Sequence, residues 1–341
     1  MTTRVLLAGD HFVHNGLIRA ALQEAVGPDR LATSELVLPW PPEPFGPVAE
    51  VAEASGTEQQ LIDALPGVEI CLTEQAPVTS RVLAAAPDLR LLCVGRGGAV
   101  NVNLAAATAY RVTVCTAPGR NATATAEHTL ALILAAVRQL PRRDAELRAG
   151  RWRSDLYRYQ ETGPELAGSP VGLVGCGAVG RRVARVLSAM EATVRYFDPY
   201  ADPATLDGIA EPVGTLAELL AGSLVVSLHA RATPETAHLI GAAQLRLMRP
   251  DAILVNAARG SLLDYDAAAD ALAQGRLAAA AFDVFPEEPL PAGSRLRRLD
   301  NVILTPHLGG ASRQTAQSAA RMMAAEVARY LAGDPQAHPA N

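Results

Sequence analysis

The feature that most constrains the fold is the run Val171-Gly172-Leu173-Val174-Gly175-Cys176-Gly177-Ala178-Val179-Gly180. An apolar segment leads into three glycines spaced G-x-G-x-x-G, and apolar residues at helical spacing follow. That order predicts a buried strand, a tight turn and a helix. In such a unit Gly175 permits the turn, Gly177 lets the backbone approach a pyrophosphate, and Gly180 lets the helix pack on the strand. With Ala178 and Val179, the turn aims free N–H groups from the positive end of the helix, where phosphates bind. Asp198 closes the next predicted strand, 193–197. Its carboxylate can accept bonds from adenosine ribose hydroxyls and would repel a 2′-phosphate, so NAD (NADH) is expected over NADP. A structural glycine-rich turn is the plainer alternative. The flanking strand, helix and acid argue against it.

Around this unit the pattern is a parallel βαβ series, with strands expected at 171–174, 193–197, 224–228, 252–256, 278–282 and 302–304 and a helix over 178–190. Asp264 is a predicted helix N-cap and Gly275 a helix stop. The first ~115 residues also alternate in α/β fashion. Strands are expected at 4–8, 68–72, 89–94 and 112–115, and helices at 16–26 and 80–86. Prolines are too dense across 39–45 for anything but a loop, whose role the residues do not reveal. A long apolar helix is predicted over 123–140, ended by Pro141 and connecting the domains, and an amphipathic one over 312–331. The fold class is therefore α/β: a central Rossmann domain, a doubly wound parallel sheet, with the two chain ends meeting in one outer domain. The expected division is 1–117 with 312–341, and 118–311.

Composition excludes more than it selects. All 30 residues counted as Lys or Arg are arginines, so chemistry that needs a lysine ammonium is ruled out. That covers a pyridoxal Schiff base, a Walker-type phosphate loop and dinucleotide-fold dehydrogenases with a catalytic lysine. A net charge of −5 provides no basic footprint for nucleic acid and no reason for binding to anionic membranes. Cys71, Cys93, Cys115 and Cys176 lie far apart without a C-x-x-C, so neither a disulfide framework nor a metal site is expected. The N-terminus Met1-Thr2-Thr3-Arg4 begins no signal-type segment, and the apolar run near 130–137 is far short of the ~20 residues of a membrane helix. A soluble cytoplasmic protein is expected.

Three further motifs follow the glycine turn in order: Asn256-Ala257-Ala258-Arg259-Gly260, Asp283-Val284-Phe285-Pro286-Glu287-Glu288-Pro289 and Thr305-Pro306-His307. Arg259 follows a strand at its carboxyl end, where open α/β sheets place ligands, and its planar guanidinium can hold a carboxylate with two bonds. Alone, an arginine there is more often a surface ion-pair partner. His307 has a side chain suited to proton transfer near neutral pH. Glu288 could orient the imidazole and raise its pKa, although the adjacent Glu287 competes for that assignment. Ala230 and Ala257 fall on the cofactor side of their strands, and His229 either lines the cofactor edge or packs. The remaining histidines, His128 among them, have no comparable setting.

Together these motifs resemble the D-isomer-specific 2-hydroxyacid dehydrogenase family, which includes phosphoglycerate dehydrogenase, glyoxylate reductase and formate dehydrogenase. The resemblance runs from about residue 60 to 331. It implies a NAD domain beside a discontinuous, flavodoxin-like substrate domain with a cleft between them, usually in a homodimer. By matched positions, Arg259 would bind the substrate carboxylate and carbonyl, Glu288 would partner the imidazole, and His307 would be the acid/base. Asp283 would lie near the nicotinamide carboxamide. Arg96-Gly97-Gly98 falls on the loop whose N–H groups receive the carboxylate. The substrate would be a small 2-hydroxy or 2-keto acid. The chain departs from the family at 97–103, where it lacks the usual acids, and at Leu72-Thr73-Glu74-Gln75, where phosphoglycerate dehydrogenases carry a phosphate-binding arginine. Glu74 disfavours a substrate phosphate, while Arg96 could still meet a second anionic group. With the chain ending at 341, no C-terminal regulatory domain is expected, and serine biosynthesis is not the expected role. A protein that binds NAD(H) as a ligand, like the corepressors related to this family, is the alternative.

Overall fold

A computed structural model describes residues 2–28 and 30–341; Met1, part of the N-terminal stretch considered above, lies outside the described residues. The chain forms two compact units, Met1–Asn121 with Ser312–Asn341, and Ala122–Ala311. The first crossing at Asn121–Ala122 lies slightly beyond the expected 117/118 junction. Among the described residues, no helix is long and apolar enough to cross a membrane.

In the first unit β1 (Thr3–Gly9), β2 (Leu31–Val37), β5 (Ile70–Thr73), β6 (Leu91–Val94) and β7 (Thr113–Cys115) form one parallel sheet in the order β2-β1-β5-β6-β7. A hairpin of β3 (Gly46–Val48) and β4 (Val51–Ala54) interrupts the count, so the sheet strands run 2-1-3-4-5, the flavodoxin-like order. β5 and β6 are buried at every position, because helices cover both faces of a parallel sheet. The C-terminal helix Arg313–Ala332 starts on a Ser312 cap that accepts from Thr315 N–H, and stops at Gly333, whose φ of 77° suits glycine. Its face of Ala316, Ala319, Ala320, Met323 and Val327 shares a core with Ile18 and Leu22 of the helix Asn15–Val26. Burying Met323 and Val327 there contributes roughly 1.5–3 kcal/mol each.

The second unit holds β8 (Pro170–Val174), β9 (Thr193–Phe197), β10 (Glu211–Pro212), β11 (Val225–Leu228), β12 (Ile253–Asn256), β13 (Ala279–Phe282) and β14 (Val302–Leu304). Their order is β10-β9-β8-β11-β12-β13-β14, all parallel: the dinucleotide-binding order 3-2-1-4-5-6 with one further strand. The strand sequence reverses direction between β8 and β11, so the crevice outside their carboxyl ends is the default ligand position. Asp264 caps the helix Tyr265–Ala273 by accepting from Ala267 N–H, and Gly275 follows its end at φ 67°.

Several elements differ from the sequence expectation. β2 has no buried residue, since it is an edge strand with no alternation to betray it. The hairpin β3–β4 and the two-residue β10 are equally short of signal. The predicted helix 123–140 spans Ala122–Val137, and Pro141 begins a second helix, Leu140–Arg148, instead of ending the first. A proline costs nothing in a first turn, where its missing N–H has no partner to lose. Gln139, at φ 53°, makes the break.

Candidate active site

The glycine turn leaves β8 at the reversal point. Gly175 has φ 92°, and a Cβ there would stand 2.6 Å from Ala230 N and 2.8 Å from His229 C. Gly175 is thus required twice, by its dihedral and by the backbone opposite. At Gly180 a Cβ would press on the Gly175 carbonyl, whereas at Gly177 it would meet nothing within 4 Å. Two glycines close the turn and the middle one keeps the surface open. Val179 caps the helix Gly180–Ala189 without a side-chain bond, and the N–H groups of Gly177 and Ala178 carry no bond among the described residues. Donors, helix end and open surface fit a dinucleotide pyrophosphate.

Asp198 follows β9, and its Oδ2 accepts from Cys176 N–H at 2.7 Å and its Oδ1 from Tyr200 N–H at 2.9 Å. The first bond ties the carboxylate to the glycine turn, and the second to the segment that follows β9. His229 stands at the end of β11 with its Nε2 enclosed and unpartnered. Burial pushes its pKa down to about 4, so the ring is neutral at pH 7. Ala257 is buried at the end of β12, and Ala230 is half-buried beside Gly175.

After β12, Asn256 organises the loop that carries Arg259. Its Nδ2 donates to Arg259 O at 3.0 Å and to Tyr265 Oη at 3.1 Å, and its Oδ1 accepts from Ala258 N–H at 3.1 Å. Tyr265 Oη in turn donates to the Val284 carbonyl. Gly260 admits the Phe285 carbonyl, which any Cβ there would overlap. The Arg259 and Glu288 loops therefore lie backbone to backbone. Arg259 itself is exposed, its Nη1 donating to the Ala258 carbonyl at 2.7 Å.

Glu288 meets the imidazole and Glu287 does not. Its Oε1 accepts from Phe285 N–H at 2.9 Å, and its Oε2 lies 2.7 Å from His307 Nδ1. Burial alone would raise the Glu288 pKa, but the bonds from His307 and Phe285 outweigh it and bring the carboxyl below its ordinary value. The hydrogen bond from Glu288 raises His307 above 6.5 against the opposing effect of burial, with Glu288 and Asp283 charge adding and Arg259 subtracting. His307 Nε2 has no partner among the described residues, and the side chain is 48% exposed. A carboxylate and an imidazole thus pair directly, and the charge of the Arg259 guanidinium acts on both. That set can exchange a proton with an oxygen while a cation stabilises it.

Asp283, expected beside a nicotinamide, is fully buried and turned inward. Its Oδ1 accepts from Thr305 Oγ1 at 2.6 Å and Leu308 N–H at 2.8 Å, and its Oδ2 from Gly309 N–H at 2.7 Å. His128 Nε2 lies 3.1 Å from the same Oδ1 and 3.2 Å from Thr305 Oγ1. The sequence reading assigned no role to His128, Thr305, Asn256 or Tyr265. For the first, its place with Thr125 and Thr129 on one side of a largely apolar helix was the available signal.

In the first unit Arg96 is half-buried and Gly97 and Gly98 are exposed. Arg96 Nη1 donates to Gln75 Oε1 at 2.8 Å and Nη2 to Glu53 Oε2 at 2.6 Å. Its guanidinium is held by its own unit, which weighs against the expected second anionic contact.

Residues 130–309 match the family model described as the D-isomer specific 2-hydroxyacid dehydrogenase NAD binding domain. Among curated proteins, the D-3-phosphoglycerate dehydrogenase of Mycobacterium bovis is 39% identical over 308 residues, 90% of this chain and 56% of that one. The glyoxylate reductase of Thermofilum pendens is 37% identical over 259 residues, 75% of this chain and 76% of that one. The chain therefore spans about half the length of the phosphoglycerate dehydrogenases it matches. Among solved structures, the TT0316 protein of Thermus thermophilus superposes with a TM-score of 0.80 at 30% identity, covering 99% of this chain and 100% of the other.

Proposed function

The chain belongs to the D-isomer-specific 2-hydroxyacid dehydrogenase family, and from that membership we propose that it is an NAD-dependent oxidoreductase interconverting a 2-keto acid and its D-2-hydroxy acid. The observation that carries the proposal is the 2.7 Å contact of His307 Nδ1 with Glu288, which leaves Nε2 without a partner among the described residues. A bound nicotinamide supplies or receives the hydride at the carbon beside the carboxylate. His307 gives its Nε2 proton to the keto oxygen in reduction and takes the hydroxyl proton in oxidation. Glu288 keeps the imidazole oriented and stabilises its charged form. Arg259 polarises the carbonyl and grips the carboxylate with its planar fork. Within the first unit, the Gly97 and Gly98 N–H groups are exposed anion donors on the substrate loop. Because Glu53 and Gln75 hold Arg96, the backbone of that loop and not its cation receives the anion. Asp198 sets NADH over NADPH.

The proposed substrate is a small acid without a phosphate: the stretch Leu72-Thr73-Glu74-Gln75, where phosphoglycerate dehydrogenases carry a phosphate-binding arginine, holds an acid instead, and Arg96 is already paired. The proposal includes a homodimer. Leu140, Leu147, Trp152, Tyr157 and Tyr159 are all exposed within residues 140–159. Apolar surface gathered in this way favours a second copy over water. NADH oxidation with glyoxylate, pyruvate and hydroxypyruvate tests the activity. Turnover of at least one is expected; turnover of none, with NADH still bound, would favour the ligand-binding role of a corepressor relative.

A further inference from the structure

We propose that His128, through Asp283 and Thr305, is the positioning residue that locks the turn carrying His307. The inference rests on the reading of His307 as the acid/base. His307 has φ 56°, a left-handed backbone that a side chain of this kind rarely adopts, so something must hold it there. The turn's own bonds converge on one residue. His307 N–H donates to the Asp283 carbonyl at 2.8 Å, and Leu308 and Gly309 N–H donate to its two carboxylate oxygens. A Cβ on Gly309 would stand 3.0 Å from Asp283 Oδ2, so the turn and the carboxylate are in close contact.

Asp283 is fully buried at the end of β13, and a buried carboxylate holds position only while donors satisfy it. Two of its donors are side chains. Thr305 Oγ1 donates its single proton to Oδ1 and so presents lone pairs to His128 Nε2. Both partners of that nitrogen are therefore acceptors, and Nε2 carries the proton. One N–H thus bridges the helix Ala122–Val137 to the acid and to the residue two before His307. Without it the Thr305 hydroxyl can rotate, and Asp283 loses a charge-assisted bond. The turn then slackens where His307 must meet Glu288. The groups acting on His307 are Glu288, Asp283 and Arg259, and a substitution at His128 leaves all three charges in place. Any change in the His307 titration then reports geometry.

His128→Phe and Thr305→Val break the lock from its two ends, and His128→Gln returns an N–H near Nε2. The first measurement is a ¹H–¹³C NMR titration of the ligand-free protein labelled at histidine, with the His307 signal assigned by its loss in His307→Gln. In His128→Phe and in Thr305→Val the His307 midpoint should fall toward 6.5 as the Glu288 bond loosens. His128→Gln should recover most of it. With glyoxylate and NADH, kcat should drop about 10- to 100-fold, the scale of a misplaced catalytic group, while the NADH Kd holds. A His307 midpoint unchanged in both Phe and Val variants overturns the lock, as does parallel loss of NADH binding. If the parent turns over no keto acid but the midpoints still move, the lock stands and the reductase reading fails.

Discussion

At the carboxyl ends of the five-stranded sheet, Asp10 and Glu74 follow β1 and β5 and are each 2% exposed. Asp283 at the end of β13 is buried just as deeply. The two regions differ in what meets the carboxylates. Glu74 has one ion pair, Oε1 with Arg120 at 2.6 Å, while its Oε2, Asp10 Oδ2 and Arg120 Nη1 have no partner among the described residues. Burial pushes Glu74 up to about 7, with Arg120 opposing and Asp10 reinforcing the shift, and burial raises Asp10 as well. Asp283 meets two backbone N–H groups, a hydroxyl and an imidazole. Donor supply differs at similar depth: Asp10 accepts from Phe12 and Val13 N–H through Oδ1 alone, Glu74 meets only Arg120, and Asp283 is supplied at both oxygens.

The strongest way to break this contrast is to remove the group that the satisfied region serves. His307→Gln keeps size and some hydrogen bonding but delivers no proton at neutral pH. Keto-acid reduction should fall by roughly 10²–10⁴-fold with NADH affinity little changed. Glu288→Gln sharpens the result. Loss of the carboxylate lowers the raised His307 pKa, so the alkaline limb of the reduction profile should move to lower pH. A profile superimposable on the parent's would refute the pairing.

Arg259→Lys asks whether the exposed cation acts by shape or by charge alone. Loss of the planar fork should cost on the order of 2–3 kcal/mol, roughly a hundredfold in kcat/KM for the keto acid, and spare NADH binding. Parallel loss of both would make Arg259 a cofactor or structural residue. Asp198 is another carboxylate, satisfied by two backbone N–H groups and still open to a ligand. The unmutated protein should prefer NADH over NADPH by about tenfold or more in kcat/KM, the scale of one charge-sensitive hydrogen bond. Asp198→Ala should narrow that gap; equal use of both cofactors by the parent would sink the ribose assignment.

The smallest expected effect tests the under-satisfied side. A carboxyl whose pKa is raised on folding contributes stability below its unfolded value of 4.5, and that contribution is lost as pH rises through about 7. Glu74→Gln does not titrate, so its Tm relative to the parent should improve between pH 5 and pH 8, by on the order of a few degrees. A pH-independent difference would mean that Arg120 keeps Glu74 ionised throughout.

Local sequence determined most of the second unit, because each of its signals acts over a few residues. The strand before Gly175, the glycine spacing, the Asp264 cap and the Gly275 stop are decided by backbone sterics and near-neighbour bonds. Arg259, Glu288 and His307 were recognisable as a set from their order, although Glu287 was as good a candidate as Glu288 until the chain folded. Elements without a buried face, β2 and β10, carried too little pattern to be seen. Tertiary structure alone decided the long-range pairings. His128 and Asp283 are 155 positions apart, and Glu74 and Arg120 are 46 apart. No local rule relates such residues, since parallel strands bring their carboxyl ends together only after every crossover has closed. The inward turn of Asp283 belongs to that class. Its side chain was visible in the sequence, but its donors come from a helix laid down 155 residues earlier and a turn more than 20 residues later. Which way a carboxylate faces is settled by where its donors stand.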